Sequence, residues 1–175
     1  MKHGTVELVK NEEHERLFKE MRKTKRELLL ASAIIKDFYI LDPLGNPFRL
    51  SRILSNLAKN RVDVKILTTP KMRERLFFEN LMKIGESVQI RFCPRIHIKI
   101  VIRDNNFAYF GSANLTGAGL GMKSAKKRNF EIGAFTQDPN LIQEMRQAFY
   151  NIWQGDMCKA CYFFKRNRCP GVFNT

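Results

Sequence analysis

The chain has 175 residues, with 31 Lys and Arg against 17 Asp and Glu and a formal net charge of +14. A chain of this length buries roughly 70% of its unfolded surface, which supports one domain core and leaves no room for a second full domain. Hydrophobic content of 44%, including 14 Phe, is globular rather than disordered composition. No run approaches the ~18 consecutive apolar residues of a membrane span, and the opening MKHGTVELVK lacks the apolar core of a signal peptide. These features predict a cytoplasmic protein with no stable membrane insertion. The basic balance favours a polyanionic partner, with nucleic acid ahead of an anionic membrane surface.

Residues 9–25 are highly charged, with Leu17, Phe18 and Met21 forming a thin apolar stripe, and are predicted to form an amphipathic helix. Residues 27–35 are a nearly continuous apolar run of strand length, as suits a strand covered on both faces. Gly45, Asn46 and Pro47 mark a loop. Ser51 is expected to cap a helix whose apolar positions are Leu50, Ile53, Leu54, Leu57 and Ala58. Residues 62–67 alternate with period two, predicting a strand with one polar face, and Thr69-Pro70 is expected to open a helix through Leu76, Phe77, Leu81 and Met82. Three strands are predicted at 87–92, 96–102 and 107–110, the last two joined by the turn Arg103-Asp104-Asn105-Asn106. A glycine-rich loop at 117–121, expected to be mobile, leads to a basic patch and a strand at 130–135. Asp138-Pro139 then caps and starts a helix with the inner face Ile142, Met145, Phe149, Ile152 and Trp153. The composition changes at Gly155. The expected architecture is a mixed α/β domain over 1–154, with a mostly buried β-sheet flanked by helices. A short basic cysteine-bearing tail follows at 155–175.

The chemistry is concentrated between residues 96 and 114. His97 and Lys99 are two apart on a predicted strand, so both side chains leave the same face. Asp104 follows after four residues, and Gly111-Ser112-Ala113-Asn114 after six more. Six identities at fixed spacing are a far more specific signal than one short glycine motif. The pattern resembles the phospholipase D superfamily signature, His-x-Lys, four residues, Asp, six residues, Gly-Ser-x-Asn. Asn129-Phe130-Glu131 also fits that family's Asn-x-Glu element, and the order of elements from about 26 to 150 suits its fold.

Phosphodiester cleavage needs a nucleophile for phosphorus, donors for the non-bridging oxygens and an acid for the leaving group. His97 is the candidate nucleophile, because neutral imidazole is abundant near pH 7 and can form a phosphoramidate. Lys99, Ser112 and Asn114 supply one charge and two neutral donors for the phosphate. Glu131 is the candidate orienter of the imidazole, as a carboxylate is in a hydrolase triad. The resemblance implies the same roles, and it implies that Asp104 sits beside the site in a mainly structural capacity. Enzymes of this type use two motifs, one histidine attacking and the other protonating the leaving oxygen. With one motif and only His3, His14 and His97 in the chain, the expectation is a two-fold homodimer sharing one site. Neither step calls for a divalent ion, so no catalytic cofactor is expected.

Lys123, Lys126, Lys127 and Arg128 lie between the Gly-Ser-x-Asn turn and Glu131, and are candidates for tracking a nucleic-acid backbone. In the tail, Cys158, Cys161 and Cys169 have spacing suited to a structural zinc ion, ahead of an iron–sulfur cluster. Cys93 is a candidate fourth ligand if the tail folds back. Disulfide pairing or free thiols are the alternatives. Tyr162, Phe163 and Phe164 beside Lys165, Arg166 and Arg168 resemble small aromatic-and-basic nucleic-acid knuckles. The leading expectation is a metal-independent nuclease acting on DNA or RNA through a phosphohistidine. A phospholipid or cardiolipin phosphodiesterase and a non-catalytic nucleic-acid-binding module are the competing readings.

Overall fold

A computed structural model describes residues 5–10, 14–42, 44–70, 72–166, 168 and 169. The elements in chain order are β1 (Val6–Lys10), α1 (Glu15–Arg22), β2 (Glu27–Ser32), β3 (Tyr39–Leu41), β4 (Pro47–Arg49), α2 (Leu50–Lys59) and β5 (Asp63–Thr68). A single 3-10 turn at Met72–Glu74 precedes α3 (Arg75–Met82), β6 (Val88–Phe92), β7 (Ile100–Arg103), β8 (Phe107–Gly111), β9 (Ile132–Thr136), α4 (Pro139–Gln154) and the short α5 (Tyr162–Lys165). Seven strands form one mixed sheet in the order β1-β9-β8-β7-β2-β5-β6, and β3 pairs with β4 in a separate hairpin. β2 runs parallel to β5 and antiparallel to β7, so it is the seam between a parallel half and an antiparallel half.

The apolar run at β2 is explained by its two covered faces. Leu28 and Leu30 enter a core shared with Leu17, Phe18, Leu54 and Phe78 of α1, α2 and α3. Leu29 and Ala31 enter a second core with Ile142, Phe149 and Trp153 of α4. Successive strand residues point to opposite faces, so a strand between two helical layers has no position to spare for polar alternation. The sheet between helical layers is the architecture expected from the sequence.

Several elements differ from expectation. The first helix does not begin at residue 9: residues 6–10 form β1, the edge strand antiparallel to β9, and the helix starts at Glu15. Ser51 does not cap α2. Arg49 holds the cap position, while the Ser51 amide and hydroxyl both donate to Asp37. Thr69 donates its hydroxyl to the Ala33 carbonyl at 2.6 Å instead of capping, and α3 starts six residues later. On the polar face of β5, Asp63 is exposed but Lys65 is largely covered. Lys65 lies under α4, where it donates to Glu27 at 3.3 Å beside Arg146 and Tyr150, which also donate to Glu27. The expected caps at α4 are present: the Asp138 carboxylate accepts from the Asn140 and Leu141 amides, and Gly155 ends the helix at φ +88°.

The hairpin joining β7 to β8 is tight. Asp104 and Asn105 have φ of +50° and +60°, and Asn106 N–H donates to the Arg103 carbonyl at 3.0 Å. Positive φ at both central residues is the turn geometry whose twist matches paired strands, and Asp and Asn tolerate it better than most side chains. The glycine-rich loop departs from the expected mobility. Gly117, Gly119 and Leu120 are buried, and a Cβ at Gly119 would meet the Asn114 carbonyl at 2.5 Å. Here glycine serves close packing against the Gly-Ser-x-Asn turn.

Candidate active site

Four neighbouring strands bring the signature together. In the order β9-β8-β7-β2 the directions alternate, so the start of β7, the end of β8, the start of β9 and the end of β2 share one edge of the sheet. These ends carry His97 and Lys99, Gly111 and Ser112, Glu131, and Ser32 respectively. His97 and Lys99 precede the paired part of β7 instead of lying within it, although the Gly111 amide still donates to the Lys99 carbonyl at 3.2 Å.

The His97 side chain is exposed, whereas Lys99 is buried. The Lys99 ammonium stands 3.2 Å from both ring nitrogens of His97 and donates to its carbonyl at 2.7 Å. Burial draws the Lys99 pKa down, and the nearby Glu131 carboxylate partly offsets it. A cation is therefore fixed beside the imidazole with little solvent around it. An arriving phosphate would meet this charge at reduced screening.

Ser112 donates its hydroxyl to one Glu131 oxygen, and the Ile132 amide donates to the same hydroxyl at 3.1 Å. Asn129 donates to the other Glu131 oxygen at 3.0 Å. Glu131 is thus tied to Ser112 and Asn129 and electrostatically coupled to Lys99. The orienting partnership with His97 expected from the sequence is not among these bonds. Asn114 is held through its carbonyl oxygen, which accepts from the Ser32 hydroxyl at 3.0 Å and the Ile34 amide at 3.2 Å. Fixing Oδ1 in this way turns the amide NH2 outward as the donor end.

Asp104 is not in this cluster. It lies at the opposite end of β7, and four strand residues span about 13 Å. Its carboxylate accepts from the backbone amides of Lys25 and Arg26 at 2.8 Å each and of Glu27 at 3.1 Å. Burial opposes its charge, but these three N–H groups outweigh burial and hold the carboxyl below its ordinary value of 3.8. These bonds tie the β7–β8 turn to the entry of β2, and the expected place beside the site is not the one Asp104 occupies.

Sequence reading missed Ser32, whose hydroxyl bonds Asn114 and accepts from the Leu115 amide at 3.2 Å. The available signal was a lone hydroxyl in a buried apolar strand, which needs a partner to offset its desolvation. It also missed His14, which is fully buried with Nε2 3.0 Å from the Tyr109 hydroxyl. Tyr109 lies across the narrow β8–β9 junction, where a Cβ on Gly133 would meet its ring at 2.5 Å and a Cβ on Gly111 would meet Gly133 at 2.6 Å. The signature glycine therefore has a steric function.

Lys123, Lys126 and Lys127 are exposed on the segment linking Asn114 to Glu131, and Arg128 is half-buried there. Phe130, beside Glu131, is wholly exposed. In the tail, Lys165, Arg166 and Arg168 are exposed, and the Arg166 guanidinium stacks 4.7 Å from the Tyr162 ring. The four cysteines are free thiols lining one pocket of about 190 Å³. Among the described residues, no three His, Cys, Asp or Glu side chains are gathered at metal-binding spacing. Burial, with the three other thiols, pushes the Cys158 thiol up. The Phe164 amide, with smaller help from Arg95 and the Phe163 amide, draws Cys161 down against its own burial.

A mixed sheet between helical layers, with a His-Lys pair and Ser and Asn donors at one edge, defines a phospholipase D-like domain. The chain belongs to the family described as "Cardiolipin synthase, PLD-like domain", whose model matches residues 17–153. No curated protein matches it by sequence. Among solved structures it is similar to Nuc from Salmonella typhimurium, a phospholipase D family member, with TM-score 0.67 and 17% identity over 87% of this chain and 95% of that one. It is also similar to NucT from Helicobacter pylori, with TM-score 0.62 and 13% identity over 87% and 97%. The archaeal chromatin protein TrmBL2, described with a novel mode of DNA binding, gives TM-score 0.58 and 17% identity over 85% of this chain and 52% of its own. Among the described residues, no helix is long and apolar enough to cross a membrane.

Proposed function

We propose that the protein is a phosphodiesterase that cleaves DNA or RNA through a phosphohistidine intermediate, in a site completed by a second copy of the chain. The observation that carries this reading is the exposed His97 imidazole beside the buried Lys99 ammonium, at the edge that also carries Ser112 and Asn114. In the first step a lone pair of His97 attacks phosphorus, a P–N bond forms, and the P–O bond to the leaving oxygen breaks. Lys99, Ser112 and Asn114 stabilise the non-bridging oxygens. The leaving oxygen takes a proton from the second copy's His97. Water then attacks phosphorus, that same imidazole accepts the water proton, and the P–N bond breaks. No step draws on a metal ion.

The second copy is invoked because a leaving-group acid is needed. His14, the other histidine among the described residues, is fully buried against Tyr109; His3 lies outside them. The +14 charge, the exposed lysines between Asn114 and Glu131 and the exposed Phe130 favour a nucleic acid, whose bases can stack as its backbone is tracked. A lipid phosphodiester is the second reading. It is favoured by the family description and by a likeness to the phosphatidylserine synthase of Haemophilus influenzae, with TM-score 0.55 and 15% identity over 84% of this chain and 38% of that one.

The test incubates purified protein in EDTA with labelled DNA, labelled RNA and cardiolipin vesicles. The expected result is cleavage of nucleic acid, abolished in His97→Asn, with an acid-labile phosphoryl label on His97. Headgroup release without oligonucleotide cleavage would move the substrate to lipid. Salt-sensitive binding with no turnover and no adduct would reduce the site to a phosphate holder.

A further inference from the structure

We propose that Cys93, Cys158, Cys161 and Cys169 together bind one zinc ion that fastens the C-terminal tail to the segment carrying His97. The chain has four cysteines, and all four line one pocket although Cys93 is 65 residues from Cys158 in sequence. The rest of the lining includes Leu67, Ile96, Ile152 and Met157, together with Arg91 and Arg95. Buried cysteines often act as small hydrophobes, and a single thiol here would mean no more than that. Convergence of a Cys-x2-Cys pair, a downstream Cys-Pro and a distant fourth thiol on one pocket is the ligand pattern of a structural tetrathiolate site.

Local geometry points the same way. Cys93 and Cys158 each open a tight turn, closed by Ile96 N–H to the Cys93 carbonyl at 3.2 Å and by Cys161 N–H to the Cys158 carbonyl at 2.8 Å. The thiolate is the form a metal takes. Four thiolates around Zn²⁺ leave two net negative charges, and the Arg91 and Arg95 guanidiniums on the pocket wall are placed to balance them. No three of the thiols stand at ligand spacing in this arrangement. Closure therefore requires their single side-chain torsions to turn the sulfurs inward as the ion binds, with release of their protons.

The consequence reaches the site by a short path. Cys93 lies four residues before His97 on the segment between β6 and β7. Fastening the tail there would hold that segment and set the basic residues Lys165, Arg166 and Arg168 near the same end of the molecule. This inference does not depend on which phosphodiester is cut, and its readout is metal content rather than activity.

The experiment expresses the full chain with zinc in the medium, purifies it under reducing conditions without chelator, and measures metal by elemental analysis. One zinc per chain is expected, with the thiols shielded from a chromogenic thiol reagent until a chelator is added. Cys161→Ser and Cys93→Ser should each reduce zinc to background. Should these variants aggregate, cobalt(II) titration of refolded wild-type chain should give intense thiolate-to-cobalt charge-transfer and tetrahedral absorption. Four reactive thiols with no metal, iron in place of zinc, a mass lowered by disulfide formation, or full zinc retention in Cys93→Ser would each overturn the proposal.

Discussion

The two ends of the β7–β8 hairpin carry residues of one signature and treat them in opposite ways. At one end His97 is exposed, and Asn114 is held by its carbonyl oxygen, which leaves its NH2 as a donor, while the Ser112 hydroxyl is held between Glu131 and the Ile132 amide. At the other, Asp104 is buried and saturated by three backbone amides at the entry to β2. A shared motif therefore does not mean a shared role. The end that retains unspent hydrogen-bonding capacity is where a substrate can bind; the end that has spent it holds the strands in register.

Substitutions at the two ends should separate along that line. His97→Asn is expected to lower phosphodiesterase turnover on the order of 10⁴-fold or more, as loss of a covalent nucleophile does, with an unchanged melting temperature. Asp104→Asn should do the reverse, costing about 2–3 kcal/mol of stability while folded protein keeps its turnover, measured by urea unfolding alongside activity. Because the folded pKa of Asp104 lies below 3.8, its contribution is fully present above the ordinary carboxylate range and is lost as pH falls through the lower folded value. The wild-type protein should accordingly lose stability on acidification more steeply than Asp104→Asn.

Smaller effects sharpen the contrast within the site end. Gly133→Ala drives a methyl group into the Tyr109 ring, which is fully buried and bonded to His14, and should cost about 2 kcal/mol in thermal or urea unfolding. Ser32→Ala removes one of the two bonds holding the Asn114 amide, leaving the Ile34 amide, and roughly a 10-fold loss in kcat with a small change in KM is expected from steady-state kinetics. The smallest change is expected from replacing Lys123, Lys126 and Lys127 together by alanine. It should raise KM on nucleic acid, leave kcat unchanged, and flatten the salt dependence by up to about 0.9 in slope per lysine.

The fold was largely legible because its strongest signals come from burial on two sides. The apolar run at β2 and the Asp138-Pro139 cap with its spaced apolar face translate directly into the central strand and α4. Edge strand β1 was hidden, because a strand with one buried residue in five looks like the charged helix beside it. The partner of Lys65 was not legible, because alternation reveals which face is polar but not that Glu27 lies beside it under a helix. At the candidate site, spacing singled out His97, Lys99, Ser112 and Asn114, which the fold brings to one end of the sheet. It could not reveal that Asp104 closes the far turn, since a turn reverses direction and sends neighbours in the motif to opposite ends of the sheet. Nor could it show Ser32 or Tyr109, whose contacts cross more than 80 residues.

The central claim is that one chain supplies half of a site, with both His97 side chains required. It is tested most directly by co-refolding wild-type and His97→Asn chains in varied ratio and measuring turnover in EDTA. If both histidines are needed, activity per total chain falls as the square of the wild-type fraction. A linear fall would show that each chain cuts unaided, and would contradict the shared site.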